Sequence, residues 1–303
     1  MNSDTELILD LWNHCNNRCR FCYNQTIFHL PENVEEHLDT CNDILNSGFV
    51  KGFNKLRILG GELFDGAIDI LNVRDKFNKI LISISNLLKN DVDKLNLLTN
   101  LIYADNKDLK ETLQFFENQG LIHKVEISTS YDMYGRFSEE SETWWWNNIN
   151  WIKTNYPFMK IDIGMIMTQP FITNVTKEWL DEFIEKTGEN CRINFNELDT
   201  AVNGFVKKES PYKDLFPKRK DFIAFIKNLK QWNHQDLIGI EPGGIDPWSR
   251  TLSVQYLFSH KLPFPLFKNL NLLLTERDTF REDGYIDSDI PLYSDVKKLL
   301  NAQ

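Results

Sequence analysis

The 303-residue sequence contains no run of about 18 uncharged apolar residues, the length that a helix needs to cross a bilayer. Its first residues, Met-Asn-Ser-Asp-Thr-Glu, lack the basic region and the apolar core of a secretory signal. Cysteine is scarce, and three of the five cysteines lie close together, which makes a disulfide framework unfavourable and fits a reducing compartment. We therefore expect a cytoplasmic protein with no membrane partner.

Positive charge is also in deficit. The chain carries 34 basic against 44 acidic residues, a net charge of −10. This balance disfavours a broad phosphate-binding surface. The densest basic stretch, 218–220, is more typical of the solvated start of a helix than of a nucleic-acid site. Nucleic acid is therefore not the expected partner.

The feature with the most chemical content is the run from Trp12 to Tyr23, which carries Cys15, Cys19 and Cys22. Three thiolates at this spacing can hold three irons of a [4Fe–4S] cluster and leave the fourth iron open to a ligand. A structural zinc site is the alternative, but it needs a fourth ligand close by. The nearest candidate is His14, and its adjacency to Cys15 is awkward geometry for chelating one ion.

The rest of the chain alternates between strand and helix patterns. Apolar residues recur at helical spacing over 75–89 and 218–232. Gly120 closes a helix expected over 107–119, three glutamates, Glu139, Glu140 and Glu142, favour the start of one over 139–155, and Thr176 is in position to cap a further helix. Short β-type runs precede these segments at 6–12, 55–59, 94–99, 124–130, 160–167 and 192–197. Six such units predict an α/β fold, a partial (β/α)6 TIM-type barrel over residues 1–234. Residues 235–303 are rich in Pro and Gly, and we expect them to form a C-terminal extension of loops and short helices on the barrel edge or mouth.

Four motifs fall at the ends of predicted strands, where the loops of a parallel barrel converge. They are the three cysteines after the first strand, Gly60-Gly61-Glu62 after the second, Thr99-Asn100 after the third, and Ser128 with Ser130 on the fourth. This set resembles the radical S-adenosylmethionine (radical SAM) enzymes, whose cysteine motif has an aromatic residue before the third cysteine, here Phe21. The sequence departs from the family where Leu63 replaces a proline and Leu101 replaces a glycine.

The resemblance implies a single [4Fe–4S] cluster on the three cysteines, because no cysteine follows Cys191. It implies that S-adenosylmethionine binds the open iron and that an external one-electron reductant, of flavodoxin or ferredoxin type, supplies the electron. The residues that the resemblance assigns to the cofactor are Phe21, Gly60, Gly61, Glu62, Thr99, Asn100, Ser128, Ser130 and, on the sixth strand, Asn196. Cys41 and Cys191 are expected to be structural.

The motifs do not specify the substrate. Hydrogen abstraction from a peptide or protein is the preferred hypothesis, with a small molecule or nucleotide as one alternative and a non-enzymatic metal-stabilised module as another. The run Trp144-Trp145-Trp146, with Trp151, supports a small organic or peptide substrate if part of it is exposed. Consecutive helical positions sweep about 200° of the circumference, so at least one of these rings is expected to be partly exposed.

Overall fold

The computed structural model describes residues 5–22, 33–196, 213–215, 217–232, 238–241 and 250–253. Eight strands form one sheet: β1 (Thr5–Asp10), β2 (Lys55–Leu59), β3 (Lys94–Leu98), β4 (Val125–Ser130), β5 (Ile161–Ile166), β6 (Cys191–Asn196), β7 (Ile238–Glu241) and β8 (Arg250–Ser253). Their order is β7-β6-β5-β4-β3-β2-β1-β8, and every pair is parallel. The predicted α/β class with a parallel sheet is confirmed.

The helices are α1 (Val34–Asn46), α2 (Ala67–Ile70), α3 (Arg74–Asn90), α4 (Lys107–Asn118), α5 (Glu139–Asn155), α6 (Gln169–Asn174), α7 (Lys177–Thr187) and α8 (Arg219–Gln231). Local chemistry sets several of their starts. The Thr176 hydroxyl accepts a hydrogen bond from the Trp179 amide at 3.2 Å and so caps α7, as predicted. Among the described helices, none is both long enough and apolar enough to cross a membrane.

The six predicted strands are present as β1 to β6, and two further short strands were not predicted. β7 pairs with β6, and β8 pairs with β1, so both edges of the sheet are extended by strands from the range that the sequence assigned to loops and short helices. These strands have only four residues each and lie near Pro242-Gly243-Gly244, so their local pattern is weak. Parallel pairing with a neighbouring strand gives them a partner that the local sequence does not reveal.

One face of the sheet is apolar and the other is polar. On β4, Val125, Ile127 and Thr129 are buried, whereas Glu126, Ser128 and Ser130 are half-buried. The apolar face belongs to a core that includes helix residues such as Leu38 and Cys41 of α1 and Ile84 of α3. Parallel sheets are usually apolar on both faces, so the polar face of this one is exceptional.

Charged side chains lie on the polar face toward the amino ends of the strands. The Glu6 carboxylate lies 3.3 Å from Arg57 and 3.7 Å from Lys55, and the Lys94 ammonium lies 3.0 Å from Glu126. Burial raises the pKa of Asp162 on β5, and Lys55 on β2 opposes that rise, although β3 and β4 separate the two strands.

Candidate functional site

The cysteine loop, residues 11–22, follows β1 directly. Cys19 is buried, Cys15 and Cys22 are half-buried, and all three are free thiols. The Cys22 amide donates to the Cys19 carbonyl at 3.1 Å, which folds the end of the loop into a turn. The Cys15 sulfur accepts a hydrogen bond from the Asn17 amide at 3.4 Å and lies 3.7 Å from Nδ2 of Asn100. The three thiols therefore lie on one short loop at the carboxyl edge of the sheet.

Burial governs the protonation of this loop. Desolvation raises the pKa of Cys15 to about 12, and the Asn17 amide only partly opposes the rise. Burial also raises the pKa of Cys19, against the lowering effect of Arg136. Since metals and clusters bind thiolates, loading this loop must release protons.

Gly60 and Gly61 lie against the backbone of the cysteine loop. The Gly61 amide donates to the Trp12 carbonyl at 2.6 Å, and the Glu62 amide donates to the His14 carbonyl at 2.7 Å. A Cβ at Gly61 would stand 2.2 Å from the His14 carbonyl oxygen, and one at Gly60 would stand 3.1 Å from the Trp12 ring. Close backbone approach thus requires glycine at Gly61.

Glu62 joins the second and third strand ends. Its side chain is 1% exposed, and its Oε1 accepts from the Thr99 hydroxyl at 2.6 Å and from the Phe64 amide at 3.0 Å. Oε2 accepts from the Asn100 amide. Burial raises the pKa of Glu62 to about 7, and these three donors lower it from a higher value. The carboxylate links Gly60-Gly61-Glu62 to Thr99-Asn100, and its predicted contact with the cofactor stays a prediction.

The third strand ends in a tight turn even though Leu101 replaces glycine. Leu101 has φ of +56°, in the left-handed region that glycine normally occupies, and its side chain is fully buried. The Thr99 amide donates to the Ser128 carbonyl at 2.9 Å, and Nδ2 of Asn100 donates to Oδ1 of Asn16 at 3.0 Å. Burial of the Leu101 side chain stabilises a left-handed backbone conformation that its Cβ disfavours.

Ser128, Ser130 and Asn196 lie farther along the sheet. Ser128 and Ser130 share the polar face of β4, and the Ser128 hydroxyl accepts from Nδ2 of Asn96 at 2.8 Å. Asn196 is the last residue of β6, paired in register with Ile166 and Glu241. The predicted positions at the first three strand ends are connected by direct hydrogen bonds. The Ser128 carbonyl joins them, because it accepts a hydrogen bond from the Thr99 amide.

Sequence reasoning missed Asn16 and Asp65. The Asn16 amide donates to Oδ2 of Asp65 at 2.7 Å, and Nδ2 of Asn16 donates to the Ile102 carbonyl. Asp65 also caps the turn into α2 through the Ala67 amide, at 3.1 Å. His14 lies 3.8 Å from Asp65, so it has a polar contact beside the loop. The only sequence signal was an aspartate two residues before a helix start.

Sequence reasoning also missed Arg136. It lies in the β4 loop, residues 131–138, and its guanidinium lies 5.4 Å from the centre of the Phe21 ring. Nε of Arg136 donates to Oδ2 of Asp132 at 2.8 Å. Phe21, the predicted aromatic residue before the third cysteine, is therefore buried beneath a cation, and no spacing in the sequence indicated this contact.

The three thiols of the cysteine loop are the residues that could hold a cluster, and cluster binding stays a prediction. Within the described ranges, no three His, Cys, Asp or Glu side chains are grouped closely enough to hold one metal ion. A [4Fe–4S] cluster does not need such a group, because each cysteine binds a different iron. The three free thiols, one buried and two half-buried, lie on one loop beside two glycines that admit close backbone approach.

Several buried oxygens on the strands accept no hydrogen bond among the described residues. They include both carboxylate oxygens of Asp10, Oδ1 of Asn96 and Oδ1 of Asn194. Desolvation raises the pKa of Asp10 to about 8. Buried polar atoms are nearly always satisfied by protein, water or ligand, so these positions favour polar occupants.

A cavity of about 450 Å³ opens beside Asn16. Its walls combine Trp144 and Tyr103 with one lysine and four aspartates, Asp65, Asp69, Asp105 and Asp108. Arg74 neutralises part of this charge, since it lies 2.7 Å from Asp69 and 2.8 Å from Asp108. The predicted partial exposure of the tryptophan run is confirmed, because Trp145 is fully buried whereas Trp144, Trp146 and Trp151 are half-buried.

Comparison with known proteins gives no family assignment. No family model matches the chain, and no curated protein matches it. Among solved structures, dihydroorotase from Campylobacter jejuni is 13% identical with a TM-score of 0.30, covering 92% of this chain and 82% of that one. 3-Keto-D-glucoside 4-epimerase from E. coli is 10% identical with a TM-score of 0.27, covering 78% of this chain and 92% of that one. Both likenesses are too weak to indicate a fold or a function.

Proposed function

We propose that this chain is a radical SAM enzyme with one [4Fe–4S] cluster on Cys15, Cys19 and Cys22. The observation that carries the proposal is the contact network at the carboxyl edge of the sheet. There the cysteine loop is hydrogen-bonded to Gly61 and Glu62, and Glu62 is hydrogen-bonded to Thr99. If the three cysteines resembled the family only by chance, we would not expect them to be hydrogen-bonded to Gly60-Gly61-Glu62 and, through Glu62, to Thr99-Asn100.

The finer fold proposal is a partial TIM-type barrel. It is supported by the consecutive parallel strand order and by the polar inner rows that reach across from Lys55 to Asp162. In such a barrel the carboxyl strand ends form one mouth. The orphaned oxygens of Asn96 and Asn194 then face a polar lumen together with Ser128.

The bound cluster and S-adenosylmethionine would supply a 5′-deoxyadenosyl radical for hydrogen abstraction from the substrate. The chain's own residues give the site its shape. Gly61 lets the cysteine loop approach, Glu62 fixes the second strand end against the third, and Asn100 donates toward the Cys15 sulfur. Ser128, Ser130 and Asn196 are proposed contacts to the cofactor's ribose or carboxylate.

We propose a peptide or protein substrate in the cytoplasm and a flavodoxin- or ferredoxin-type reductant. The carboxylates that line the cavity beside Asn16, together with the net charge of −10, would repel the phosphates of a nucleic acid. Transfer RNA should therefore not be retained by the protein in a filter-binding assay at moderate salt. Tight, salt-sensitive retention would contradict this choice of substrate and leave the cluster proposal standing.

The cluster proposal is tested by anaerobic reconstitution. Wild-type protein should bind about four irons and four sulfides and should form 5′-deoxyadenosine when given reductant and S-adenosylmethionine. Alanine at Cys15, Cys19 or Cys22 should abolish both. Cys41→Ala and Cys191→Ala are matched controls, because these thiols are buried in the apolar core and should leave loading intact. Stoichiometric zinc without iron in the wild-type protein would overturn the proposal.

A further inference from the structure

The cysteine loop is held from one side by the β4 loop. The Arg20 amide donates to the Gly135 carbonyl at 3.3 Å, and Nδ2 of Asn17 donates to the Arg136 carbonyl at 3.4 Å. The Arg136 guanidinium also covers the Phe21 ring, at 5.4 Å from its centre. The segment from Asn17 to Phe21 is thereby bound to the β4 loop by two hydrogen bonds and a cation–π contact.

The guanidinium is anchored as well. Its Nε donates to Oδ2 of Asp132, and Oδ1 of Asp132 accepts from the Ile166 amide at 2.7 Å, at the end of β5. The Arg136 and Asp132 side chains are 12% and 3% exposed. A buried ion pair costs desolvation energy, and removing one partner leaves an uncompensated charge. The pair fixes the cation between β5 and the cysteine loop.

Of the two charged groups, the cation is the one that contacts the cysteine loop. The Arg136 guanidinium lies over Phe21, between Cys19 and Cys22 in the sequence, whereas the Asp132 carboxylate accepts from the Ile166 amide at the end of β5. The cysteine loop therefore faces the positive member of the pair.

We propose that Arg136 is a positioning residue that holds the Cys19–Cys22 half of the loop and keeps a positive charge beside the cluster. This rests on the proposed function. A reduced cluster carries one more negative charge than an oxidised one, so a fixed cation nearby favours reduction. Arg136 therefore makes the cluster easier to reduce, and Asp132 both orients the cation and partly offsets it.

The test is the reduction potential of the reconstituted cluster, measured by a redox titration followed by electron paramagnetic resonance. Arg136→Met should shift the potential to more negative values, because it removes the cation. Arg136→Lys keeps the charge and should restore the potential most of the way. Asp132→Asn removes a negative charge and should shift the potential in the opposite direction. A purely structural role would give no such reversal of sign.

Arg74→Met is the matched control. Arg74 also pairs with a buried aspartate, Asp108, at 2.8 Å, but its partners lie on α2 and α4 and not on the cysteine loop. This variant should keep the wild-type potential. If Arg136→Met fails to load while Arg136→Lys loads, the positioning role is supported. If Arg136→Met does not fold, the inference is tested by the direction in which Asp132→Asn shifts the reduction potential of the cluster.

The failure of this inference is distinguishable from failure of the function. If the wild-type protein takes up no iron and sulfide, the proposed function itself is wrong. If the wild-type protein loads normally and Arg136→Met has the same potential as wild type, or Asp132→Asn shifts it to more negative values, the inference on Arg136 is wrong and the function stands.

Discussion

Gly61 is the position at which the structure predicts the sharpest effect of a single methyl group. In Gly61→Ala, an ideal Cβ would lie 2.2 Å from the His14 carbonyl oxygen and 2.5 Å from the Asn13 carbonyl oxygen. Both are backbone atoms, so no side-chain rotation relieves the overlap. The two segments must separate by roughly 1 Å to reach an ordinary contact distance.

The cost has two parts. Overpacking against a rigid neighbour costs about 1–3 kcal/mol, and backbone neighbours favour the upper end of that range. The separation also lengthens the hydrogen bonds from the Gly61 and Glu62 amides, which run to Trp12 and His14 and contribute about 1 kcal/mol each. We expect Gly61→Ala to lower the free energy of unfolding by about 3–5 kcal/mol.

Urea unfolding of the protein without cluster measures this directly, and iron content after reconstitution reports on the loop. Gly48→Ala is the matched control, since a Cβ there meets nothing within 4 Å. Gly60→Ala should be intermediate, because its Cβ would lie 3.1 Å from the Trp12 side chain. If Gly61→Ala unfolds at the same urea concentration as Gly48→Ala and loads iron normally, Gly61 does not lie against the backbone of the cysteine loop and this reasoning is wrong.

Two further predictions concern Asp10 and Leu101. Burial raises the pKa of Asp10 from 3.8 to about 8, so between these values the folded protein holds a proton that the unfolded chain has lost. Stability should therefore fall as pH rises from 4 to 8, by up to about 6 kcal/mol at about 1.4 kcal/mol per unit. Asp10→Asn should remove that contribution and be the more stable protein at pH 8.5; parallel urea-midpoint curves for the two proteins would contradict this. Leu101→Gly relieves a left-handed residue, worth about 1–2 kcal/mol, but empties a fully buried side chain, worth about 2–5 kcal/mol, so it should destabilise the protein in calorimetry. Asn72→Gly, at φ of +54° and without a buried apolar side chain, is its control and should be neutral or stabilising; equal effects of the two would refute the burial argument.

Apolar periodicity, together with the residue types at helix ends, predicted most of the helices. The helix expected over 139–155 is α5, with the same bounds, and the one expected over 75–89 is α3, Arg74–Asn90. A stripe that recurs over three or four turns leaves few alternatives. The four-residue strands β7 and β8 were missed because a segment that short contains too few positions to show a period.

The sequence predicted which residues lie at the strand ends, but not which of them contact one another. The sequence indicated that Glu62 and Thr99 end neighbouring strands, and the structure adds that the carboxylate of one accepts the hydroxyl of the other. Leu101 shows the same limit. Its type argues against a left-handed turn, and only burial in the tertiary core makes that conformation favourable.

The sequence by itself determined the alternation of strands and helices, the three-cysteine loop after β1 and the glycines of Gly60-Gly61-Glu62, because each is a local pattern of residue types and spacings. Only the tertiary structure decided that Arg136 lies over Phe21 and that Asn16 bonds Asp65. These pairs are separated by 115 and 49 positions along the chain, and the parallel sheet brings them together. Contacts between loops follow from the order of the strands, and spacing within one segment does not encode that order.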